Sequence, residues 1–237
     1  MMKTMRCLIA ILLFLGSATL WAEESAFPGL VVTEAPINRA DIESIKRGAK
    51  FFSTNCMSCH TLVYLRYNKL AAEAGITLAK MPINVKNWPY GVTPPDLSLE
   101  TEIRGPDWIY TYLHSFYKDT TRPTGSNNLM LPNTAMPNIL APYQGEQVLT
   151  THKQSPGILY GDLQYYSYLE LTKQGSMTPE QYDAAITDVV NFLAYAAEPY
   201  YLEQHRIGWW VLGFLALLFP LMLMLKREYW KDVKRRK

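Results

Sequence analysis

The chain has 237 residues, enough for one medium domain with appendages. Its three cysteines exclude a disulfide framework, because Cys56 and Cys59 share one five-residue motif and Cys7 lies in a segment expected to be removed. The net charge of +2 hides an asymmetry: residues 226–237 carry seven basic and two acidic side chains, whereas residues 23–225 carry 14 basic against 19 acidic. Such an acidic body either steers a basic partner or simply keeps the domain soluble, and no nucleic-acid partner is expected.

At the N-terminus, Lys3 and Arg6 precede an apolar run from Cys7 to Leu15, and the small residues Gly16, Ser17, Ala18 and Ala22 follow before Glu23-Glu24. This is the three-part pattern of a secretory signal peptide, here residues 1–22, with cleavage after Ala22 or Ala18. The apolar run is too short for a permanent span, so the body is expected to be exported, for this type of signal into a bacterial periplasm. Phe27 to Pro36 contains two prolines and a glycine and reads as an extended arm.

The first helix is signalled by Ile42, Ile45, Ala49 and Phe52, at spacings of 3, 4 and 3, with Asn38 or Asp41 as its cap. Gly48 and Phe52 share one face, and a glycine costing about 1 kcal/mol against alanine is best explained by close contact with another helix. The helix delivers Cys56-Met57-Ser58-Cys59-His60, a C-x-x-C-H run. That run is the attachment site of a c-type haem: two sulfurs reach neighbouring porphyrin edges while the next residue is brought beneath the iron. A thioredoxin-like pair gives no reason for the adjoining histidine, and a zinc site lacks its second cysteine pair.

A second helix is signalled far along the chain. Thr178-Pro179-Glu180-Gln181 supplies a cap, a proline at the first helical position and a glutamine three residues on, and Tyr182, Ile186, Val189, Leu193 and Ala196 then repeat at 4, 3, 4 and 3 before Glu198-Pro199. A Gly-x-x-x-aromatic first helix crossed by a C-terminal helix resembles the class I c-type cytochromes. The fold class implied is mainly α, a class I c-type cytochrome fold with loop insertions, plus one C-terminal transmembrane helix.

Between these helices, Thr61 to Ala79 reads as helical, with Tyr64 and Tyr67 more readily core than haem-lining. Met81 to Pro95 reads as an irregular loop at the porphyrin edge, leading into Pro94-Pro95-Asp96-Leu97-Ser98. A ligating histidine has its second ring nitrogen held by a carbonyl or carboxylate, and the carbonyl of Pro95 is the candidate for His60. The sixth ligand is sought among Met81, Met130, Met136, Met177, His114, His152 and His205. Met136-Pro137, in the Asn- and Pro-rich run Leu131 to Asn138, suits a rigid ligand loop; His114, near Trp108, Tyr112 and Phe116, reads as an ordinary packed histidine. Gln144 to Gly175 reads as inserted loops with a short hairpin around Pro156-Gly157, of no legible role.

With Cys56 to His60, Pro94 to Ser98, Arg104, Met136-Pro137 and Asn191-Phe192-Leu193 through Glu198-Pro199 in this order, most of the mature chain resembles the cytochrome c1 family. The resemblance implies one covalently attached haem c on Cys56 and Cys59, with His60 and Met136 as iron ligands, Pro95 behind His60 and Arg104 beside a haem propionate. By itself Arg104 reads as a solvated surface charge.

Ile207 to Leu225 is apolar throughout, about 19 residues at roughly 1.5 Å each, close to the roughly 30 Å hydrocarbon thickness. Trp209 and Trp210 mark one interface and Lys226-Arg227 with Lys234 to Lys237 the cytoplasmic side, and Pro220 is tolerable within such a helix. The expected organisation is a signal peptide (1–22), a periplasmic haem domain (23–206), a single transmembrane helix (207–225) in the bacterial inner membrane, and a basic cytoplasmic tail (226–237).

The resemblance further implies single-electron transfer from a Rieske iron–sulfur protein to a soluble cytochrome c within a quinol–cytochrome c reductase (bc1) complex of a respiratory chain. Cytochrome b is then a membrane partner, in a dimeric complex. The alternatives are a tethered subunit of a terminal oxidase, which the Pro-Pro-Asp-Leu-Ser and Met-Pro set speaks against, and a haem enzyme or gas sensor with an open sixth position.

Overall fold

The computed structural model of the chain describes residues 30–83, 88–154 and 164–235. The signal peptide, the start of the arm, and Pro156-Gly157 lie outside the described residues. In chain order the elements are α1 (Ile42–Asn55), α2 (Lys69–Glu73), α3 (Glu100–Arg104), α4 (Pro106–His114), β1 (Phe116–Lys118), β2 (Ser126–Asn128), α5 (Ala141–Gln144), β3 (Gly145–Gln154), β4 (Gln164–Gln174), α6 (Pro179–Ala197) and α7 (Tyr201–Arg235). The architecture is mainly α with one long apolar C-terminal helix, as the sequence predicts.

The body is organised on the crossing of α1 and α6. Of the two possible caps for α1, Asp41 is the one used: its carboxylate accepts from the Ser44 amide at 3.0 Å. At α6 the expected capping box forms, Thr178 and Gln181 each accepting from the other's backbone. Ile45, Ala49 and Phe52 of α1 are fully buried against Ile186, Val190 and Phe192 of α6, and the Phe52 and Phe192 rings lie 5.7 Å apart. Gly48 sits at the point of closest approach, where a Cβ would fall 1.9 Å from the Asp188 carbonyl oxygen. The glycine is therefore there for want of space. Asn191, buried in the same interface, donates to the Asn38 carbonyl and the Ser44 hydroxyl at 2.9 Å each, which fixes the register of two otherwise apolar faces.

Around this crossing, α3 and α4 are split by Gly105 and pack on α6, with the Thr101 hydroxyl on the Leu193 carbonyl and the Tyr182 hydroxyl on the Leu113 carbonyl. The expected single helix over Thr61 to Ala79 is instead broken into a 3-10 turn (Val63–Leu65), α2, and a second 3-10 turn (Leu78–Lys80). Two side chains explain the break: Asn68 restarts the helix by accepting from the Ala71 amide at 3.0 Å, and Asp96 takes the Val63 amide at 3.0 Å. Tyr64 and Tyr67 are 64% and 89% exposed, so neither belongs to the core.

Gln144 to Gly175 is not a set of loops with a short hairpin but a long antiparallel ribbon, β3 and β4, paired from Gly145↔Gln174 to Gln154↔Gln164 with one register shift between Glu146 and Gln147. Its strands are rich in Val, Leu, Thr and Tyr, which suit a pleated surface. Gly145 pinches the base: its φ is 106°, and a Cβ there would lie 2.2 Å from the Lys173 carbonyl. The small β1–β2 hairpin had no clear signal in the sequence.

The C-terminal helix is longer than the expected 207–225, running unbroken for 35 residues through Pro220 and into the basic segment. No glycine or proline interrupts Tyr201 to Ile207, so the helix begins directly after Pro199-Tyr200. Tyr201–Lys231 is long and apolar enough to cross a membrane, and its apolar side chains, Trp209 and Trp210 included, are exposed. Where it leaves the body, Arg39 pairs with Glu198 and, at 3.6 Å, with Glu102, while its guanidinium lies 4.7 Å from the Tyr201 ring centre.

Candidate haem site

His60 follows directly from the end of α1. The Cys56 amide closes on the Phe52 carbonyl and the Cys59 and His60 amides both close on the Cys56 carbonyl, at 3.1 and 2.9 Å. This tight turn gathers Cys56, Cys59 and His60. His60 is buried, and its Nδ1 lies 2.9 Å from the Pro95 carbonyl oxygen, the partner the sequence pointed to. A carbonyl only accepts, so Nδ1 carries the proton and Nε2 presents its lone pair. Burial holds the His60 imidazole below its ordinary value, against the opposing pull of the Pro95 carbonyl and the Glu100 and Asp96 charges. The ring is therefore neutral at pH 7, the form a metal ligand requires.

Cys56 and Cys59 are free and only partly exposed. Burial, with Cys59 beside it, pushes the Cys56 thiol up to about 12, so it is protonated at neutral pH. Among the described residues no group of three or more His, Cys, Asp or Glu could hold a metal ion by itself.

The segment that brings Pro95 to His60 is tied down by Asp96, whose role sequence reasoning missed. Its carboxylate accepts from the Thr61 hydroxyl at 2.5 Å, the Val63 amide at 3.0 Å and the Ser98 amide at 2.9 Å. The Leu97 amide adds a bond to the Thr61 carbonyl and the Tyr64 amide one to the Ser98 hydroxyl. Burial favours the neutral acid, but these donors outweigh it and hold Asp96 below the usual carboxylate range. The available signal was an Asp two residues before a Ser, the pattern of a side chain that bonds its own backbone two residues on.

Met136 lies in a loop organised by β2, three consecutive buried polar residues. Asn128 Oδ1 accepts from the Met130 amide at 2.8 Å and the Leu131 amide at 3.3 Å, Asn127 Oδ1 from the Asn133 amide at 2.8 Å, and Ser126 Oγ from the Asn138 amide at 3.0 Å. Arg122 donates to the Asn133 carbonyl from the other side. The Met136 sulfur lies 3.5 Å from the Tyr112 hydroxyl, whose ring stacks on Trp108 at 5.0 Å. Burial pushes the Tyr112 phenol up to about 12. Neither β2 nor the role of Tyr112 stood out in the sequence, because adjacent polar residues carry no periodic signal and which group a Tyr hydroxyl meets is set by tertiary contacts.

Arg104, at the end of α3, bonds to Glu100 at 2.7 Å and lies 4.4 Å from the Trp108 ring centre. The structure thus assembles two groups, Cys56-Cys59-His60-Pro95 and Arg104-Trp108-Tyr112-Met136, and Glu100 acts on both: it pairs with Arg104 and its charge raises the His60 value against burial. Of the other ligand candidates, Met81 and Met130 are buried in the core, Met177 packs against it, His114 is packed with Nδ1 on the Tyr110 carbonyl at 2.8 Å, and His205 stands on α7 against Tyr201. The side chain of His152 lies outside the described residues. A groove of about 520 Å³ between the β1–β2 hairpin and the base of β3–β4 touches Pro137 but none of Cys56, Cys59, His60, Pro95, Arg104 and Met136.

The model of the cytochrome C1 family matches residues 32–88 and 83–233. The chain belongs to the cytochrome c1 family. Among curated relatives it is 42% identical to a cytochrome c1 of Allochromatium vinosum, over 84% of this chain and 88% of the relative. It is 37% identical, over the same shares, to a protein of Nitrosomonas europaea described as an ammonia monooxygenase gamma subunit. It is 26% identical to a cytochrome c1 of Blastochloris viridis, over 84% of both chains. Cytochrome c1 membership implies a haem c, and the residues present suit one: two unpaired thiols, an adjoining neutral imidazole with Nε2 unengaged, and a thioether on a fixed loop.

Proposed function

We propose that this chain is the membrane-anchored electron-transfer subunit of a quinol–cytochrome c reductase (bc1) complex, taking single electrons from a Rieske iron–sulfur protein and giving them to a soluble cytochrome c. The observation that carries this reading is the His60 imidazole, next to the Cys56–Cys59 pair and fixed by Pro95, in a chain of this family. A bound haem supplies a one-electron ferric–ferrous couple.

The chain's residues would do the rest. Cys56 and Cys59 would hold the group covalently, His60 and Met136 would ligate its iron, and Arg104 would pair with a propionate. With two ligands supplied by the chain, the iron would have no place for oxygen or a substrate, and the subunit would transfer electrons without a substrate site of its own. A thioether ligand would raise the reduction potential relative to a second histidine.

In this reading residues 1–22 are removed on export, 23–206 form the periplasmic domain, and the basic residues after Leu225 stay on the cytoplasmic side of a bacterial inner membrane. Cytochrome b and the Rieske protein are its complex partners, in a dimer, and the acidic body attracts a basic acceptor.

The deciding experiment is a reduced-minus-oxidised spectrum of the gently solubilised, tagged chain with quinol as reductant. The expected result is a c-type band with co-purifying b-type haem. A c-type band alone that quinol does not reduce would indicate a tethered cytochrome of another pathway, such as a terminal oxidase. A five-coordinate haem that binds carbon monoxide in the unmodified protein would indicate an enzyme or sensor, and unmodified Cys56 and Cys59 in the mature chain would defeat the whole reading.

A further inference from the structure

Three contacts around Met136 form a closed ring. The Met136 amide donates to the Thr134 hydroxyl at 3.4 Å, the Thr134 and Tyr112 hydroxyls lie 3.0 Å apart, and the Tyr112 hydroxyl reaches the Met136 sulfur at 3.5 Å. Each hydroxyl has one proton. The sulfur has none to give, so the contact closing on it must be a donation from Tyr112. Thr134, already accepting from the amide, then donates to the Tyr112 oxygen. All bonds run one way round, from the Met136 backbone to the Met136 side chain.

We propose that Tyr112 is a positioning residue for Met136, its hydroxyl engaging one lone pair of the sulfur and so fixing which one is left to face the iron. This rests on the reading of Met136 as the sixth ligand. Tyr112 is suited to the task because it is held on several sides: it is 8% exposed, its ring is stacked on Trp108 at an interplanar angle of 10° and edge-on to Phe116, and its carbonyl accepts from Asn128 at 2.8 Å. The bond also has an electronic consequence. Drawing density from the sulfur weakens its donation to ferric iron more than to ferrous iron, so the hydroxyl favours the reduced state.

The test is a redox titration of the full-length, haem-loaded chain in its solubilised complex, following also the far-red methionine-to-iron charge-transfer band. Tyr112→Phe keeps the ring and both aromatic contacts. It is expected to shift the ferric–ferrous equilibrium about threefold toward ferric, roughly 28 mV at about 59 mV per tenfold for a one-electron couple, and to alter the band. Thr134→Val leaves the Tyr112 proton free for the sulfur and is expected to shift the equilibrium less. An unchanged potential and band in Tyr112→Phe, or a larger shift in Thr134→Val than in Tyr112→Phe, overturns the proposal. Met136→Ala separates the two readings. If it removes the band and admits carbon monoxide while Tyr112→Phe changes nothing, only the positioning role fails; if it changes neither potential nor band, the ligand assignment fails and this proposal with it.

Discussion

The α1–α6 crossing and the 126–138 loop hold the two proposed axial ligands by different physics. His60 is delivered by a helix end whose position is set by close packing: two apolar faces meet at a glycine, and the nearest backbone carbonyl leaves no room for a Cβ. Met136 is delivered by a stretch with almost no regular structure, held instead by the side chains of Ser126, Asn127 and Asn128 on successive backbone amides. Packing is non-directional and tolerates many sequences of similar volume, whereas each side-chain-to-backbone bond specifies a partner and leaves it buried and unsatisfied if lost. The first region is therefore sensitive to added atoms and the second to removed ones.

The contrast can be broken most severely at Gly48. Gly48→Ala forces a shift of backbone rather than of a flexible side chain, and an overpacking cost of about 3 kcal/mol or more is expected, read as a large fall in thermal midpoint or failure to accumulate. A variant that accumulates with an unchanged midpoint would show that the helices can part. Asn128→Ala is expected to cost about 3 kcal/mol, since Asn128 is fully buried and satisfies two amides and the Tyr112 carbonyl. Its distinguishing readout is carbon monoxide binding by the haem, expected here and absent in a destabilised helix variant of equal midpoint.

Asp96→Ala is expected to cost about 2 kcal/mol by releasing the Thr61, Val63 and Ser98 donors. Because the folded carboxyl is held below its unfolded value, its contribution is fully present above about pH 4 and is lost as the pH falls through the lower folded value. The difference in stability between native protein and variant should accordingly shrink on acidification within that range, and a difference that grew there would contradict the assignment. Thr178→Ala removes half of the capping box of α6 and is expected to cost about 1 kcal/mol in chemical denaturation, with no change in the haem spectrum. Smallest is Arg47→Ala: the pair with Asp188 has two bonds but Arg47 is largely exposed, so only a slight loss of stability in chemical denaturation, weakening with salt, is expected.

The same division governs what could be read from the letters alone. The periodicity of Ile42 to Phe52 and of Tyr182 to Ala196, the capping box and the glycine on a helix face all encode local rules, and each was found where it was expected. Pro95 as the partner of His60 was legible because a ligating imidazole needs an acceptor and a proline-rich loop supplies carbonyls. The break in Thr61 to Ala79 was not, since it depends on the Asp96 carboxylate arriving from some thirty residues away to take the Val63 amide. The length of the β3–β4 ribbon was hidden for a related reason: strands form by pairing with each other, and neither segment announces its partner.

By itself the sequence determined the thiol pair with its adjoining imidazole, the two helices that cross, and the apolar C-terminal segment. These follow from composition, spacing and hydrophobic period, which act within a few turns of chain. Only the tertiary structure decided that Asp96 fastens the loop behind His60, that Asn127 and Asn128 template the Met136 loop, and that Tyr112 meets the methionine sulfur. A polar side chain can satisfy any of many backbone groups, and which one it meets is fixed only when distant segments are brought together.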